Sequence, residues 1–247
     1  MRKIEILQVP FVDTTQQQFI DQLEQDIRNE NKRFVITANP EIVMQAQKNQ
    51  TLLSYLHQAD YVTPDGIGVV IGSEILNQPL KERVTGYDSM MELLTRGNKH
   101  HTRIYLLGAH PDTLPLTIEH INEDFPGIDI VGSHHGYFDM DDDAIIQDIK
   151  KTSPDIIFVA LGVPRQEQWI AKNLPQVNKG IFIGVGGSFD VIAGTVKRAP
   201  EFWVKLNLEW FYRLIKQPSR WKRMLSLPHF ALTVLKVKLF KKRSHHE

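Results

Sequence analysis

Short apolar runs that alternate with amphipathic stretches over the first 195 residues constrain the fold more than any other feature. Several runs are apolar at every position, as in IIFVAL (156–161) and IFIGV (181–185). A strand without polar alternation is buried on both faces, which is typical of a parallel sheet covered by helices. The predicted strands are Ile4–Val9, Arg33–Thr37, Tyr61–Thr63, Arg103–Leu107, Ile128–Gly132, Ile156–Leu161 and Ile181–Val185.

The segments between these runs have the periodicity of amphipathic helices. Repeated strand–helix–strand order predicts a Rossmann-like α/β fold, with a mostly parallel sheet and helices on both faces. Ligands of such sheets bind at the carboxyl ends of the strands, so the loops that follow the strands are the candidate site. The predicted helices are Thr15–Asn29, Pro40–Lys48, Tyr87–Arg96, Asp112–Asp124, Asp142–Lys151 and Arg165–Asn173.

Charge is distributed unevenly although the formal net charge is zero. Residues 196–247 contain 13 Lys and Arg against three acids, a net charge of +10, and residues 1–195 carry −10. The chain contains no cysteine, which excludes disulfides and thiolate chemistry. We predict a catalytic α/β domain over 1–195 and a basic helical appendage over 196–247, with an anionic partner for the appendage.

Aromatic and basic residues dominate the predicted appendage, which is expected to form two or three short helices. An apolar stripe beside a basic stripe is typical of helices that lie on an anionic membrane surface. No apolar run approaches the roughly 20 residues that span a bilayer, and no signal peptide is evident. We therefore expect a soluble cytoplasmic protein that docks peripherally on the inner face of the membrane.

Asp65 and Arg83 are the candidate catalytic residues. Asp65 stands in TPDG, between a strand and a helix that starts near Gly66. It suits either an N-cap or a general base that takes a proton from an acceptor hydroxyl. Arg83 stands in RVTGYD, where it suits either the stabilisation of a departing diphosphate or a surface ion pair with Glu82 or Asp88. Position alone leaves both alternatives open for each residue.

Other strand-end loops supply candidate substrate-binding residues. Glycines between a strand and a helix let backbone N–H groups approach a phosphate, although GVGGSFD (184–190) is neither a dinucleotide fingerprint nor a P-loop. Small or polar residues in the remaining loops offer contacts to a phosphate or a sugar. The candidates are Thr37, Asn39, Gly108, Arg165, Gln166, Gly186, Gly187 and Asp190.

An acidic run, Asp139 to Asp143, contains the Asp-x-Asp pattern with which many sugar transferases hold a metal ion. We favour a solvated turn at the start of the helix Asp142–Lys151, where acids stabilise the positive end of the helix dipole. His134 and His135 do not complete a ligand set. No cofactor and no metal are expected.

The ordered set TANPEIV, TPDGIGVV, RVTGYD, LLGAHPD, GVPRQEQW and GVGGSFDVIAG closely resembles the TagA/WecG/CpsF family of bacterial glycosyltransferases, over roughly residues 5–215. The resemblance is strongest to the TagA branch. It implies an inverting, metal-independent enzyme that moves N-acetylmannosamine from UDP-N-acetylmannosamine to undecaprenyl-diphosphate-linked N-acetylglucosamine. The β-1,4 disaccharide so formed begins the linkage unit of wall teichoic acid.

The resemblance also implies roles for individual residues. It places the catalytic Asp at Asp65 and polar pocket residues at Thr37, Asn39, Arg83 and Gln166. It implies that the appendage docks on the membrane and supplies arginines to the site, and that undocking exposes an apolar surface for self-association into a homo-oligomer. The arginines it points to are Arg213, Arg220 and Arg223.

Three alternatives remain at this stage. A related transferase would use another UDP sugar, either the uronic-acid form of the donor or glucose. A nucleic-acid-binding module would use the basic tail, but the acidic body argues against a broad duplex footprint and no such motif is present. A catalytically inactive scaffold is the third, against which the presence of Asp65 and Arg83 argues.

Overall fold

Six strands form one sheet at the centre of the protein, in a computed structural model that describes residues 1–218 and 221–243. The order across the sheet is β4-β3-β8-β7-β5-β6, and every neighbouring pair is parallel. The predicted Rossmann-like α/β class is therefore confirmed. The strands are β3 (Lys32–Ala38), β4 (Tyr61–Pro64), β5 (Arg103–Gly108), β6 (Asp129–His134), β7 (Ile156–Ala160) and β8 (Gly180–Gly184).

The first predicted strand, Ile4–Val9, was wrong. The chain instead makes a two-stranded antiparallel hairpin of β1 (Lys3–Ile6) and β2 (Val9–Val12). Leu7 and Gln8 form its turn with φ of 47° and 65°, positive values that a two-residue hairpin turn requires but that Leu and Gln do not signal. Pro10 lies within β2, which a strand at the edge of a small sheet tolerates.

Helices cover both faces of the sheet. On one face, α2 (Pro40–Ala46), α3 (Gln50–Gln58), α4 (Ile67–Ile75), α7 (Ala144–Thr152) and α8 (Arg165–Asn173) contribute to a single apolar core. The other face carries the second core, formed with α1 (Gln16–Arg28), α5 (Gly86–Gly97), α6 (Thr113–Asp124) and α9 (Ser188–Ile192). Alternate residues of β3 enter opposite cores, Phe34 and Ile36 the first and Val35 the second, as the period of a strand requires.

Side-chain caps fix where several helices begin. Thr15 accepts a hydrogen bond from the Gln18 amide, and the Gln18 side chain accepts one from the Thr15 amide, which completes a capping box for α1. Asn39 and Thr85 cap α2 and α5 in the same way, each accepting from an amide three residues on. These caps satisfy N–H groups that have no partner within the helix.

The basic C-terminal segment forms α10 (Glu201–Lys205), α11 (Glu209–Lys216), α12 (Trp221–Met224) and α13 (Ser226–Arg243). With 18 residues, α13 is longer than the short helices expected. Pro228 does not interrupt it, because the first turn of a helix tolerates proline. Phe230 and Val234 of α13 are buried in the core of the first face, beside Gly72 of α4. None of the helices in the described ranges is long and apolar enough to cross a membrane.

A buried carboxylate ties α1 to the edge of the sheet. Asp26 is 1% exposed and accepts hydrogen bonds from Arg33 Nε (3.0 Å), Asn31 Nδ2 (2.7 Å) and the Tyr61 hydroxyl (2.8 Å). Burial acts to raise the pKa of Asp26, but these donors outweigh it and hold the pKa below its ordinary value. The ionised form of Asp26 therefore stabilises the fold.

Asp26→Ala should lower the free energy of unfolding by about 2–3 kcal/mol at pH 7, because it leaves the Arg33 and Tyr61 donors without their acceptor. Since the pKa is lower in the folded state, the advantage of the wild type should shrink as the pH falls through the acid range. Urea unfolding at several pH values measures both effects. Asp21→Ala, on the exposed side of the same helix, is the control and should change stability little. Equal losses from the two variants would contradict this role.

Candidate active site

The topology predicts a ligand crevice at the carboxyl edge of the sheet, between β3 and β8. The helix that follows β3 packs on the first face, and the helix that follows β8 packs on the second. Adjacent parallel strands whose connections leave to opposite faces separate at their carboxyl ends, and ligands of α/β proteins bind in the gap. The candidate residues of the loops after β3 and β8 thus flank one crevice.

Thr37 and Asn39 form the β3 side of this crevice. Thr37 is 5% exposed, and its hydroxyl donates to the Gly184 carbonyl of β8 at 2.9 Å. Asn39 Oδ1 accepts from the Ile42 amide at 3.0 Å as the cap of α2. Asn39 therefore has the structural role that its sequence position indicates, and its amide nitrogen is the group left for a ligand.

Asp65 follows β4 directly and lies half-buried beside the end of β3. Its backbone amide donates to the Ala38 carbonyl at 3.1 Å. The N-cap of α4 is Gly66, so the cap position predicted for Asp65 belongs to its neighbour. A Cβ on Gly66 would stand 2.8 Å from Cδ of Pro40, so only glycine lets this turn pack so closely on α2. Thr37, Asn39 and Asp65 therefore come from adjacent strand ends.

Arg83 lies on the wall of a cleft of about 420 Å³ between the body and the C-terminal helices. Its Nη1 is 3.7 Å from Oε2 of Glu209, on α11, and both side chains are less than one-fifth exposed. The sequence suggested an ion pair of Arg83 with Glu82 or Asp88, and this was wrong. Glu82 accepts from the Gln16 amide, and Asp88 pairs with Arg198. The cleft is lined by Gln16, Ile67, Val70, Lys81, Glu82, Arg83, Asp88 and Asn207.

The glycine turn after β8 is open to solvent in part. Gly187 is exposed, and Gly186 has a φ of +53°, a conformation that favours glycine. Ser188 turns inward and donates to the Val185 carbonyl at 2.7 Å. Asp190 is half-buried in the first turn of α9. The exposed backbone of this turn is suited to hydrogen bonds with phosphate oxygens.

Arg165 and Gly108 have evident structural roles. Arg165 donates to the carbonyls of Gly136 (2.5 Å) and Phe138 (2.8 Å), and its guanidinium lies 5.0 Å from the Phe138 ring centroid. It therefore holds the loop after β6. Gly108 has a φ of +132°, and a Cβ there would lie 2.3 Å from the Ala160 carbonyl oxygen. Their contacts with substrate stay predictions.

Comparison with known proteins decides the family. A model of the glycosyl transferase WecG/TagA/CpsF family matches residues 4–244. The chain belongs to this family. The match includes the C-terminal helices as well as the sheet and its loops, so the crevice and the appendage both lie within the part shared with the family. The resemblance found in the strand-end motifs is thus confirmed.

Curated members of the WecG/TagA/CpsF family resemble the chain over nearly its whole length. A protein of Bacillus subtilis (strain 168) is 44% identical over 235 residues, or 95% of this chain and 91% of the relative. One of Bacillus spizizenii is 41% identical over 242 residues (98% and 94%), and one of Staphylococcus aureus (strain MW2) is 39% identical over 238 (96% and 93%). Each is named N-acetylglucosaminyldiphosphoundecaprenol N-acetyl-beta-D-mannosaminyltransferase.

Of the three arginines predicted to contact a lipid diphosphate, only Arg223 has a side chain within the described part of the chain. Arg223 Nε is 2.9 Å from Oε1 and 3.1 Å from Oε2 of Glu41. This ion pair links α12 to α2. Arg213 belongs to α11, but its side chain lies outside the described part of the chain. Arg220 also lies outside the described residues. Lipid contact by all three stays a prediction.

The acidic run forms a hydrogen-bonded turn before α7. Asp139 Oδ1 accepts from the Asp141 amide (3.0 Å), and Asp142 Oδ1 accepts from the Ala144 amide (2.8 Å). Asp141 pairs with Lys172 at 2.8 Å. Within the described ranges, no three side chains of His, Cys, Asp or Glu are grouped to hold a metal ion. The contacts of Asp139 and Asp142 are local, whereas the pair with Lys172 ties the turn to α8.

Gln166 and Glu167 place a buried polar pair at the start of α8. They are 2% and 0% exposed, and Gln166 Nε2 donates to Glu167 Oε1 at 2.8 Å. Burial raises the pKa of Glu167 to about 7, although the Gln166 bond and the backbone act to lower it. The sequence indicated Gln166 but not Glu167, because an acid at the start of a helix is normally a solvated residue.

Two further residues were missed by sequence reasoning. Glu209 was counted only as one of the few acids in the basic segment, yet it contacts Arg83. Tyr137 is 66% exposed and meets His110 edge to face, with ring centroids 5.3 Å apart, at the carboxyl ends of β5 and β6. An aromatic residue directly after a glycine in a strand-end loop was the available signal for Tyr137.

Glu167 should make the stability of the transferase depend on pH near neutrality. The pKa of Glu167 rises from 4.5 to about 7 on folding. The free energy of unfolding of the wild type is therefore at its full value below pH 4.5, and part of it is lost as the pH rises through 7. Glu167→Gln should therefore be more stable than the wild type at pH 8, by up to about 3 kcal/mol, and similar to it near pH 4.5. Urea unfolding across this range measures the difference.

The exposed Glu123→Gln is the matched control for the same change of charge. The difference in free energy of unfolding between Glu123→Gln and the wild type should vary with pH much less than the difference for Glu167→Gln. If the free energies of unfolding of Glu167→Gln and the wild type differ by the same amount at every pH, the raised pKa is contradicted.

Proposed function

We propose that this protein transfers N-acetylmannosamine from UDP-N-acetylmannosamine to N-acetylglucosamine carried on undecaprenyl diphosphate, with formation of a β-1,4 bond. This reaction begins the linkage unit of wall teichoic acid. Identity of 39–44% over at least 95% of the chain with transferases that carry this name is the main support. The origin of Thr37, Asn39 and Asp65 in adjacent strand ends supports it independently.

Asp65 is the proposed general base. In an inverting transfer, the acceptor hydroxyl oxygen forms a bond to the anomeric carbon while the bond from that carbon to the UDP oxygen breaks. The hydroxyl proton passes to the Asp65 carboxylate, and UDP leaves with the electron pair. Half-burial at a strand end suits this role, because the sheet holds the backbone that carries the carboxylate. Thr37 and Asn39 are the residues proposed to orient the sugar.

Negative charge on the departing diphosphate needs cations or N–H donors in the site. Arg83 and the exposed backbone of Gly186 and Gly187 supply both kinds of group in this proposal. Glu209 pairs with Arg83 at 3.7 Å, and phosphate oxygens of the bound donor would take its place. The reaction then proceeds without a metal ion, and transfer in the presence of EDTA tests that part of the proposal.

The C-terminal helices are the proposed membrane-docking surface. On α13, Leu232 and Leu239 lie opposite the buried Phe230 and are 58% and 63% exposed. Phe202 and Trp221 add exposed aromatic rings on the helices before it. The surrounding segment has a net charge of +10, and each basic residue near an anionic membrane contributes about 1 kcal/mol. A lipid-linked acceptor stays in the bilayer, so its enzyme must reach the surface.

Asp65→Asn should lower kcat at least about 100-fold, because it removes the base and preserves the volume of the side chain. UDP release from UDP-N-acetylmannosamine, with the lipid-diphosphate acceptor and EDTA present, measures the rate. Asp124→Asn, an exposed aspartate on α6, is the control and should match the wild type.

Each outcome bears on a different part of the proposal. Full activity of Asp65→Asn would exclude Asp65 as the base. Wild-type activity with a different UDP sugar alone would change the donor, and the absence of transfer from every UDP sugar would overturn the function.

Leu239→Glu combined with Phe240→Glu should weaken binding to vesicles that contain anionic phospholipid, because two exposed apolar side chains become charged. Co-sedimentation measures binding, and transfer to a short-chain soluble acceptor should persist. Leu116→Glu, on the opposite face of the sheet, controls for the added charge and should bind normally. Equal vesicle binding by the double variant and the wild type would contradict this surface.

A further inference from the structure

The cleft that contains Arg83 has the volume of a site for one small ligand, about 420 Å³. Its walls come from segments that are far apart in the chain. The body contributes the start of α1, the first turns of α4 and the loop before α5, and the C-terminal segment contributes Asn207. The proposed reaction uses Arg83 alone among these lining residues. The chemistry of the remaining wall indicates which ligand the cleft takes up.

Positive and negative charges balance around the cleft. Lys81 and Arg83 are the cations among the described residues that line it. Glu82 and Asp88 oppose them with two carboxylates, and Glu209 adds a third from beside Arg83. A charged ligand of either sign would be repelled by about half of these groups, so the wall as a whole favours an uncharged polar ligand. Arg83 remains available to a phosphate that lies next to such a ligand.

Two amides and an apolar patch complete the wall. Gln16 donates from Nε2 to the Ser89 hydroxyl at 3.1 Å, which leaves its side-chain oxygen as an acceptor for a ligand. The side-chain amide of Asn207 makes no hydrogen bond within the described part of the chain. Ile67 and Val70 supply the apolar surface. A sugar ring has hydroxyls that suit the amides and C–H groups that suit the apolar surface.

The cleft adjoins the turn that carries the proposed base. Ile67, in the wall, lies two residues after Asp65. The Val84 amide, next to Arg83, donates to the Pro64 carbonyl at 3.0 Å. Two parts of the wall are thus attached to the backbone around Asp65. The sugar whose hydroxyl gives its proton to Asp65 must lie beside this turn.

The opposite wall belongs to the C-terminal segment. Asn207 lies in the turn between α10 and α11, with a φ of 58°. Its neighbour Leu206 is 50% exposed, and Trp210 on α11 is 37% exposed. Both lie in the segment that is proposed to meet the bilayer. A sugar attached to a membrane lipid would therefore reach the cleft without leaving the membrane, whereas a freely soluble nucleotide sugar needs no such placement.

We propose that this cleft holds the uncharged amino-sugar ring of the lipid-linked acceptor, and that the Asn207 amide makes a hydrogen bond to that ring. This role rests on the proposed transferase function. It assigns the cleft to the acceptor rather than to the UDP sugar. Ile67 and Val70 pack against the C–H groups of the ring, and its reacting hydroxyl points to Asp65.

Asn207→Gly tests the hydrogen bond, because it removes the amide and glycine adopts the same positive φ without strain. With a short-chain soluble acceptor, so that membrane binding does not contribute, it should raise KM for the acceptor about fivefold. KM for UDP-N-acetylmannosamine should not change, and neither should the Kd of UDP measured by titration calorimetry. Asn77→Gly is the matched control, since Asn77 has a φ of 59°, is exposed and lies outside the lining, and it should match the wild type.

Ile67→Phe tests the apolar wall by filling part of the cleft. The larger side chain should raise KM for the acceptor roughly tenfold and leave the Kd of UDP unchanged. Ile71→Phe makes the same change one turn later on α4, at a side chain that is 47% exposed and outside the lining, and it should match the wild type. Thermal unfolding shows whether each variant is folded. If Ile67→Phe is not, Asn207→Gly decides.

Two results would overturn the acceptor site. One is a raised KM for the UDP sugar and weaker UDP binding with an unchanged KM for the acceptor, which would assign the cleft to the donor. The other is that Asn207→Gly and folded Ile67→Phe match their controls in both KM values. Either result leaves the transferase function intact, because the wild type is active in each. A wild type that transfers no sugar from any UDP donor would overturn the proposed function and this site together.

Discussion

Pairing of β3 with β8 joins parts of the chain that are far apart in sequence and determines the geometry of the crevice. The Thr37 hydroxyl reaches the Gly184 carbonyl across 147 residues. Parallel strands cannot be joined by a tight turn, and here the chain between β3 and β8 contains the other four strands of the sheet and their helices. Pairing of the buried apolar strands therefore brings the polar residues at their carboxyl ends together.

Close backbone approaches at the carboxyl edge make the crevice specific. Gly66 admits the ring of Pro40, Gly108 admits the Ala160 carbonyl, and Gly184 admits the amide of Gln166. At each position a Cβ would stand closer than 3.0 Å to a neighbour, which real Cβ atoms essentially never show. These glycines therefore bring loops together rather than make them flexible. Gly186 and Gly162, by contrast, have positive φ and open space around them, which is the conformational freedom of a turn that could adapt to a phosphate.

Sequence reasoning predicted the parts of the fold that depend on local pattern. Apolar runs identified the six parallel strands, most directly β5, β7 and β8, because strands buried on both faces are apolar at successive positions. It missed the β1–β2 hairpin, since Leu7 and Gln8 adopt positive φ without a residue type that signals it. It placed α13 among short helices because Pro228 looks like an interruption until the first turn of the helix is located.

The candidate site was predictable to the extent that strand ends are predictable. Asp65, Thr37 and Asn39 follow strands and could be placed by topology. Partners from distant segments could not: Glu209 meets Arg83 from α11, and Glu41 meets Arg223 from α2. Burial of Glu167 was equally hidden, because the same residue on an exposed helix face has an identical local sequence. Long-range ion pairs and buried acids are decided by packing, which one sequence does not display.

The basic C-terminal segment packs on the acidic α/β body through ion pairs and an apolar contact. Arg198 and Arg223 pair with Asp88 and Glu41 of the acidic body, so part of the basic excess is used within the molecule. Phe230 and Val234 add an apolar anchor beside Gly72, which leaves the opposite side of α13 outward. The helices that would meet an anionic membrane thus also bring Glu209 to Arg83 and Asn207 to the same cleft. The cleft that contains Arg83 is therefore built jointly by the α/β body and the C-terminal segment.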